Sequence, residues 1–150
     1  MMHDNCSFTP TPILRSPYLQ SMLASAKFRI PKQMAVVDAA RERIFHTTGG
    51  VRLKGFYSPQ PMKPSKGLVL LLHGWEGSER STYVLCTADR LFQHGYGVLR
   101  LNLRDHGDSH HLNSGLFFGS LFDEVFEAAG QAAELESDRP FFMAGFSLGG

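Results

Sequence analysis

Residues 141–149 read FFMAGFSLG, and this stretch decides how the rest of the chain is interpreted. Its first four residues are apolar and predict a buried strand. The next five fit the pattern G-x-S-x-G, in which a serine stands at a sharp turn between a strand and a helix. Such a turn strains the serine backbone, and flanking glycines remove side chains that would collide with neighbouring elements. We therefore expect structural roles for Gly145 and Gly149 and an exposed, nucleophilic hydroxyl at Ser147. The alternative is a glycine-rich turn whose serine only caps a helix.

A second apolar run, LVLLL at residues 68–72, precedes the loop HGWEGS at residues 73–78. A run this short and this apolar is typical of a strand that is covered on both faces in a parallel sheet. Glycines let the loop backbone approach a ligand, so that an N–H can point at an oxygen that develops negative charge. The alternative is that the loop starts with a simple turn and that Trp75 is a packing residue. If the strand 68–72 neighbours the strand 141–144, this loop and Ser147 meet at one edge of the sheet.

Three further strands are predicted around these two. Residues 41–47 and 51–57 indicate a hairpin with a two-residue turn at Gly49-Gly50. Residues 97–103 indicate another strand between two helical segments.

Two apolar stripes with helical spacing separate the later strands. The first comprises Val84, Leu85, Ala88, Leu91 and Phe92, with Gly95 at its C-terminal end. The second comprises Leu121, Phe122, Val125, Phe126, Ala129, Ala132 and Ala133, preceded by Ser120 and Asp123 in capping-box spacing. The expected fold class is therefore α/β, a β-hairpin followed by β-α-β-α-β with a mostly parallel sheet.

The chain divides into an N-terminal extension, residues 1–40, and an α/β domain, residues 41–150. The extension has one candidate helix, residues 18–28, which Pro31 is expected to end. Its apolar side chains share one face and are expected to pack on the domain; they are Leu19, Met22, Leu23 and Ala26.

Two clusters invite other interpretations. Residues 104–111, RDHGDSHH, bring together residue types of catalytic triads and metal sites. The members of a triad converge from separate elements, and these histidines lack the i, i+4 spacing of a helical zinc pair, so we interpret the stretch as a structured loop. The phenylalanine-rich group is interpreted as core rather than as an acyl-binding surface. It comprises Phe117, Phe118, Leu121, Phe122 and Phe126.

Composition narrows the functional classes. The 150 residues are 43% apolar and 19% charged, which is typical of a globular protein. The formal charge of +1 gives no electrostatic reason to expect nucleic acid or an anionic membrane as a partner. No apolar run reaches the roughly 18–20 residues of a membrane span, and the N-terminus lacks a secretory pattern, so a cytoplasmic protein is expected. Cys6 and Cys86 are expected as thiols, and no spacing indicates a metal site.

Three motifs in this order resemble the α/β-hydrolase superfamily: LLLHGWEGS at residues 70–78, NLRDHGDS at 102–109 and GFSLGG at 145–150. Within it, the chain is similar to the YheT-like branch of predicted carboxylesterases, through SPYLQS at 16–21 and EGSERSTY at 76–83. The resemblance covers nearly the whole chain but only the N-terminal half of a family domain.

The resemblance implies a serine hydrolase that acts on a small carboxylic ester or acyl substrate through an acyl-enzyme, without a cofactor. Ser147 would be the nucleophile, and the backbone N–H groups of Trp75 and Leu148 would hold the oxyanion. His73 and Gly74 would have structural roles, as would the loop 104–109. Asp105 stands where the family usually has glycine.

In this superfamily the triad acid and histidine follow the serine along the chain. All seven histidines precede Ser147, and only three residues follow it. The acid and base are therefore not in this chain, and we expect it to be truncated at the serine turn and catalytically incomplete. Two alternatives stay open: a non-catalytic binding domain of the same fold, and acyl transfer or peptide-bond cleavage by the same machinery.

Overall fold

The computed structural model describes residues 9–24 and 26–150, so that Cys6 lies outside the described residues. Its helices and strands are α1 (Pro17–Ala24), α2 (Ala35–Asp38), β1 (Arg41–His46), β2 (Arg52–Ser58), β3 (Leu68–Leu72), α3 (Thr82–Gln93), β4 (Gly97–Leu101), α4 (Phe122–Ala133) and β5 (Phe141–Gly145). Short 3-10 turns are found at Pro12–Arg15, Lys27–Arg29, His110–Leu112, Glu134–Glu136 and Ser147–Gly149. Within the described ranges, no helix is both long and apolar enough to cross a membrane.

The strands form one mixed sheet in the order β1-β2-β4-β3-β5. β3 pairs in parallel with β4 on one side and with β5 on the other, while β2 pairs antiparallel with β1 and β4. The predicted α/β fold class is confirmed. β3 does pair with β5, which is the condition under which the loop 73–78 and Ser147 meet. Because the successive parallel strands lie on opposite sides of β3, the carboxyl end of β3 is the switch point at which doubly wound sheets bind ligands.

Both faces of β3 are covered, as its unbroken apolar sequence predicts. Leu68, Leu70 and Leu72 belong to the core layer under α4, whereas Val69 and Leu71 belong to the layer under α3. All five side chains of β3 are buried. Successive side chains of a strand point to opposite faces, so a strand between two helical layers must be apolar at every position.

The hairpin turn differs from the prediction. It is a three-residue loop, with N–H donation from Gly50 to the carbonyl of Thr47 and from Thr47 to the carbonyl of Val51, each at 2.9 Å. Gly50 has a φ of 75°. A type I turn followed by a left-handed residue is the usual three-residue hairpin loop, and it requires only one glycine with positive φ. The expectation of a two-residue turn at Gly49-Gly50 was therefore wrong.

The first helix is also shorter than predicted. α1 ends at Ala24, seven residues before Pro31, and a separate 3-10 turn, Lys27–Arg29, follows it. Of the predicted apolar face, Leu19 and Met22 are exposed at 38% and 59%, whereas Leu23 and Ala26 are half-buried, so only part of that face is covered. The part of the extension that does enter the core is Met34 and Val36, which lie under α3.

The second long helix starts differently from the prediction. Its N-cap is Leu121 and makes no side-chain capping hydrogen bond, so the expected capping box at Ser120 and Asp123 is not formed. α3 does end as predicted, because Gly95 follows it with a φ of 94°.

The interpretation of the phenylalanine-rich group as core was wrong for three of its five members. Phe118, Phe122 and Phe126 are exposed at 63%, 61% and 68%. The buried apolar side chains of α4 are instead the small ones of Ala128, Ala129 and Ala132, which let the helix approach the sheet closely. The apolar stripe of α4 is thus wider than the face that the sheet covers.

Candidate functional site

Ser147 lies directly beyond the carboxyl end of β5. Its φ of 55° is in the left-handed region, which a non-glycine residue adopts only when its surroundings hold it there. The N–H of Phe146 donates to the carbonyl of Leu72 at 3.1 Å, which extends the pairing with β3 to the residue before the serine. The N–H of Gly149 then donates to the carbonyl of Phe146 at 3.0 Å and closes the turn. Ser147 is exposed at the top of this turn.

The two glycines of the pentapeptide stand where no side chain fits. A Cβ on Gly145 would lie 1.8 Å from the carbonyl oxygen of Gly149. A Cβ on Gly149 would lie 2.6 Å from the carbonyl oxygen of His73. In both cases the obstructing atom belongs to the backbone, so the spacing of the motif has a steric cause in this chain.

The loop after β3 meets the serine turn. A Cβ built on Gly74 would lie 3.0 Å from the carbonyl oxygen of Phe146 and 3.3 Å from the Cβ of Ser147. The loop turns sharply there, because the N–H of Gly77 donates to the carbonyl of Gly74 at 3.0 Å. Pairing of β3 with β5 thus places the loop 73–78 against Ser147, which is the juxtaposition that the two motifs predict.

Trp75 occupies the second position of this turn, and its side chain is 66% exposed. Its ring contacts Phe117 edge to face at 6.3 Å, which does not fit the alternative of a residue buried for packing. Among the described residues, no acceptor takes the backbone N–H of Trp75 or that of Leu148. Two unengaged N–H groups therefore flank the turn that carries Ser147.

His73 is buried and bonded at both ring nitrogens. Its Nε2 accepts the N–H of Leu103 at 3.1 Å, so the proton lies on Nδ1, which contacts the carbonyl oxygen of Gly74 at 2.8 Å. Burial lowers the pKa of His73, which keeps the ring neutral. A second tether lies further along the loop, where the N–H of Glu79 donates to Oδ1 of Asn102 at 2.7 Å. Both contacts fix the loop to the chain that follows β4.

The stretch 104–111 is a loop held by side-chain contacts. Arg104 pairs with Glu124 on α4, and Asp108 pairs with Lys54 on β2 at 3.0 Å. Asp105, the residue that stands where the family usually has glycine, has a φ of 60°. In the described ranges, no group of three or more His, Cys, Asp or Glu side chains is arranged to hold a metal ion.

No described histidine or carboxylate makes a hydrogen bond with the hydroxyl of Ser147. His106 is the histidine that packs on His73, with ring centroids 4.9 Å apart, and its Nδ1 contacts the carbonyl oxygen of Arg104. The described residues thus provide a serine and two N–H donors without a base.

An apolar cleft of about 200 Å³ lies beside the serine turn. Leu148 and Gly149 form one wall, and side chains of α4 and β5 form the rest, including Phe122, Phe126 and Met143. Phe122 and Phe126 therefore line a cleft instead of filling a core.

Tyr83 is a site residue to which the sequence analysis assigns no role, although it ends the stretch EGSERSTY. Its hydroxyl accepts the N–H of Gly74 at 2.9 Å, and its ring lies 4.9 Å from that of Phe146. A tyrosine in the first turn of a helix is ordinary, and only the tertiary structure brings it to both loops.

The family model described as "Serine aminopeptidase, S33" matches residues 63–150. No curated protein matches the chain. Among solved structures, an esterase from Pyrococcus furiosus is similar, with a TM-score of 0.62 and 21% identity over 73% of this chain and 43% of that one. A serine hydrolase without a lid from Xanthomonas campestris has a TM-score of 0.60 and 20% identity over 73% and 51%. A thermostable carboxyl esterase from Bacillus coagulans has a TM-score of 0.58 and 22% identity over 74% and 37%. At these identities the likeness establishes the fold, and the chain spans about half or less of the length of each structure.

Proposed function

Since the chain belongs to the S33 serine aminopeptidase family of α/β-hydrolases, we propose that the protein is a serine hydrolase that cleaves carboxylic esters with Ser147 as nucleophile. The observation that carries the proposal is the backbone of Ser147. Its φ of 55° directly after β5, which pairs in parallel with β3, is a costly conformation, and such strain is typical of nucleophile turns. The esterases among the similar structures favour an ester over other acyl substrates.

The proposed reaction begins with attack of the Ser147 hydroxyl oxygen on the ester carbonyl carbon. The carbonyl oxygen takes up negative charge, and the free N–H groups of Trp75 and Leu148 stabilise it. Collapse of this intermediate breaks the bond to the alcohol oxygen, which takes up the proton that the base removed from Ser147, and leaves an acyl group on Ser147. Water then attacks the acyl-enzyme, releases the carboxylic acid and restores the hydroxyl. No step requires a cofactor.

The serine must lose its proton during the attack, because an unactivated hydroxyl is a weak nucleophile. The described residues place no base at Ser147, and the matched part of this chain covers 43%, 51% and 37% of the three similar enzymes. The proposal therefore assigns the base and its acidic partner to sequence outside these 150 residues. In the superfamily order both would follow the serine.

A fluorophosphonate probe tests the nucleophile in the full-length protein. We expect the probe to label the wild type and to leave Ser147→Ala unlabelled. Ser120→Ala is the matched control, because Ser120 is an exposed loop serine that precedes α4. If Ser147→Ala were labelled like the wild type, the nucleophile would be another residue.

Peptide-bond cleavage is the second candidate, because the matching family model carries the description of an aminopeptidase. The same serine and N–H groups serve both reactions, so the substrate pocket decides between them. The two candidates separate by comparing kcat/KM for a p-nitrophenyl ester with that for an aminoacyl p-nitroanilide. We propose the ester as the better substrate; a preference for the anilide would reverse this assignment. A folded protein that turns over neither, and that the probe does not label, would be a binding domain.

A small-molecule substrate and a cytoplasmic location complete the proposal. The formal charge of +1 supports a partner other than nucleic acid. Cell fractionation would test the location.

A further inference from the structure

Tyr83 contacts both loops of the candidate site from the first turn of α3. Its hydroxyl accepts the N–H of Gly74 at 2.9 Å, and its ring packs against Phe146, the residue before Ser147. The side chain is half-buried. One residue therefore links the loop after β3 to the turn after β5.

The hydrogen bond to Tyr83 engages the N–H of Gly74, whereas the next N–H along the loop, that of Trp75, is left without an acceptor in the described part of the chain. Gly74 to Gly77 form a β-turn, and only the N–H of the fourth residue bonds inside such a turn. The N–H groups of Gly74 and Trp75 therefore need acceptors from outside. Tyr83 supplies one to Gly74, while the N–H of Trp75 has none in the described part of the chain.

The amino acid at the third position of this turn does not favour the conformation that the turn requires. Its third residue, Glu76, has a φ of 52°, a conformation that glycine or asparagine adopts at lower cost. A strained turn requires contacts from its surroundings to keep it in place. The bond from Gly74 to Tyr83 is a side-chain contact at the start of this turn.

Gly74, the side chain of Ser147 and the hydroxyl of Tyr83 lie around one small volume. The position of a Cβ on Gly74 lies 3.3 Å from the Cβ of Ser147 and 3.6 Å from the hydroxyl oxygen of Tyr83. A Cβ on Gly77 would lie 2.6 Å from the same hydroxyl oxygen. The hydroxyl is thus closely packed within the loop, next to the serine.

We propose that Tyr83 is a positioning residue of the oxyanion site: its hydroxyl binds the N–H of Gly74 and so holds the N–H of Trp75 toward the carbonyl oxygen of a substrate on Ser147. This inference rests on the proposed function. Tyr83 acts through the loop backbone and takes no part in bond making.

Loss of the hydroxyl leaves the N–H of Gly74 without its acceptor and lets the turn rotate. The N–H of Trp75 then aligns poorly with the oxyanion, which exists only in the transition state. Deletion of an oxyanion donor costs about 100-fold to 1,000-fold in kcat. A donor that is misdirected but present is expected to cost less, about 10-fold to 100-fold. The substrate ground state does not use this contact, so KM stays unchanged.

The experiment compares Tyr83→Phe with Tyr57→Phe in the full-length protein. Both substitutions keep the ring and delete one hydrogen-bonded hydroxyl, since Tyr57 donates to Glu136 at 3.0 Å. Glu136 lies against Gly97 at the amino end of β4, whereas the site loops follow the carboxyl ends of β3 and β5. We expect a fall in kcat for Tyr83→Phe alone, with similar melting temperatures for both variants. A boronic acid, whose adduct with serine imitates the tetrahedral intermediate, should bind Tyr83→Phe more weakly by the same factor.

A merely structural role would lower the melting temperature and leave kcat and the boronic acid affinity of the folded enzyme unchanged, which would overturn the inference. The inference would also fail if KM rose while kcat stayed constant. The variant Ser147→Ala tests the proposed function separately from the role of Tyr83. Full turnover in that variant would refute the proposed function. An inactive Ser147→Ala together with a fully active Tyr83→Phe would refute only the role of Tyr83.

Discussion

Replacement of Gly145 by alanine should disable the site by moving the serine turn. The new Cβ would lie 1.8 Å from the carbonyl oxygen of Gly149, and real Cβ atoms essentially never come within 3.0 Å of such a neighbour. The obstructing atom belongs to the backbone, so no rotamer change can relieve the contact. The turn that carries Ser147 must therefore shift by about 1 Å, a misplacement that costs on the order of 100-fold in rate.

The same displacement has a cost in stability. Overpacking in a well-packed region costs roughly 1–3 kcal/mol, and a collision with backbone belongs at the upper end, about 3 kcal/mol. Gly130→Ala provides the matched control, because Gly130 lies inside α4 and a Cβ there meets nothing within 4 Å. Alanine is favoured over glycine inside a helix by roughly 0.5–1 kcal/mol, so this variant should gain stability.

Urea unfolding and p-nitrophenyl ester turnover of the full-length variants measure the two effects. We expect Gly145→Ala to lose both stability and kcat, and Gly130→Ala to gain stability with an unchanged kcat. A Gly145→Ala protein as stable as the wild type would refute the close approach of Gly149 to Gly145. Loss of stability with unchanged kcat would show that the serine turn does not follow the shift.

Three further predictions concern other parts of the chain. Trp75→Pro deletes the proposed donor and should cost about 100-fold to 1,000-fold in kcat of the full-length enzyme, whereas Trp75→Leu should keep appreciable turnover; equal activity of a folded proline variant would exclude the donor role. Burial, together with the hydrogen bond to Glu136, raises the pKa of Tyr57 to about 12. Because the ordinary pKa of tyrosine is about 10, the neutral phenol stabilises the folded state fully below pH 10, and this contribution is lost as the pH rises toward 12. Alkaline unfolding of Tyr57→Phe should accordingly show a smaller fall in unfolding free energy between pH 10 and 12 than the wild type, and an identical fall would contradict the assignment. The 150-residue polypeptide by itself should self-associate, because in the described chain β5 pairs on one side only and exposes Met143 at 47%; Met143→Lys should shift size-exclusion profiles toward monomer, and a monomeric wild type would refute this.

The local sequence was sufficient to predict those features that depend on one strand, helix or turn. The run LVLLL specified β3 because a strand covered on both faces must be apolar at every position. Gly95 marked the end of α3 because the chain there needs a positive φ. The serine pentapeptide was recognisable in part for a similar reason, since a side chain on Gly145 would collide with the backbone of Gly149 inside the same turn.

Predictions failed where the outcome depended on packing between distant elements. The stripe on α4 predicted buried phenylalanines, but alanines fill the contact with the sheet and leave Phe122 and Phe126 on the cleft. Helical periodicity gives the direction of an apolar face and not the width that a neighbour covers. α1 ended before its apolar pattern did, and Leu19 and Met22 of that pattern stay exposed.

The sequence by itself determined the α/β class, the order of the elements, the serine turn and the loop that had to meet it, because each depends on local periodicity or on a local steric demand. Tertiary structure alone decided that β3 lies between β4 and β5, which brings Gly74 against Ser147. It also decided that the hydroxyl of Tyr83 accepts the N–H of Gly74 and that the N–H of Trp75 has no acceptor among the described residues. Hydrogen bonds between separate elements leave no periodic trace in a sequence, since their geometry exists only after the sheet and helices have packed.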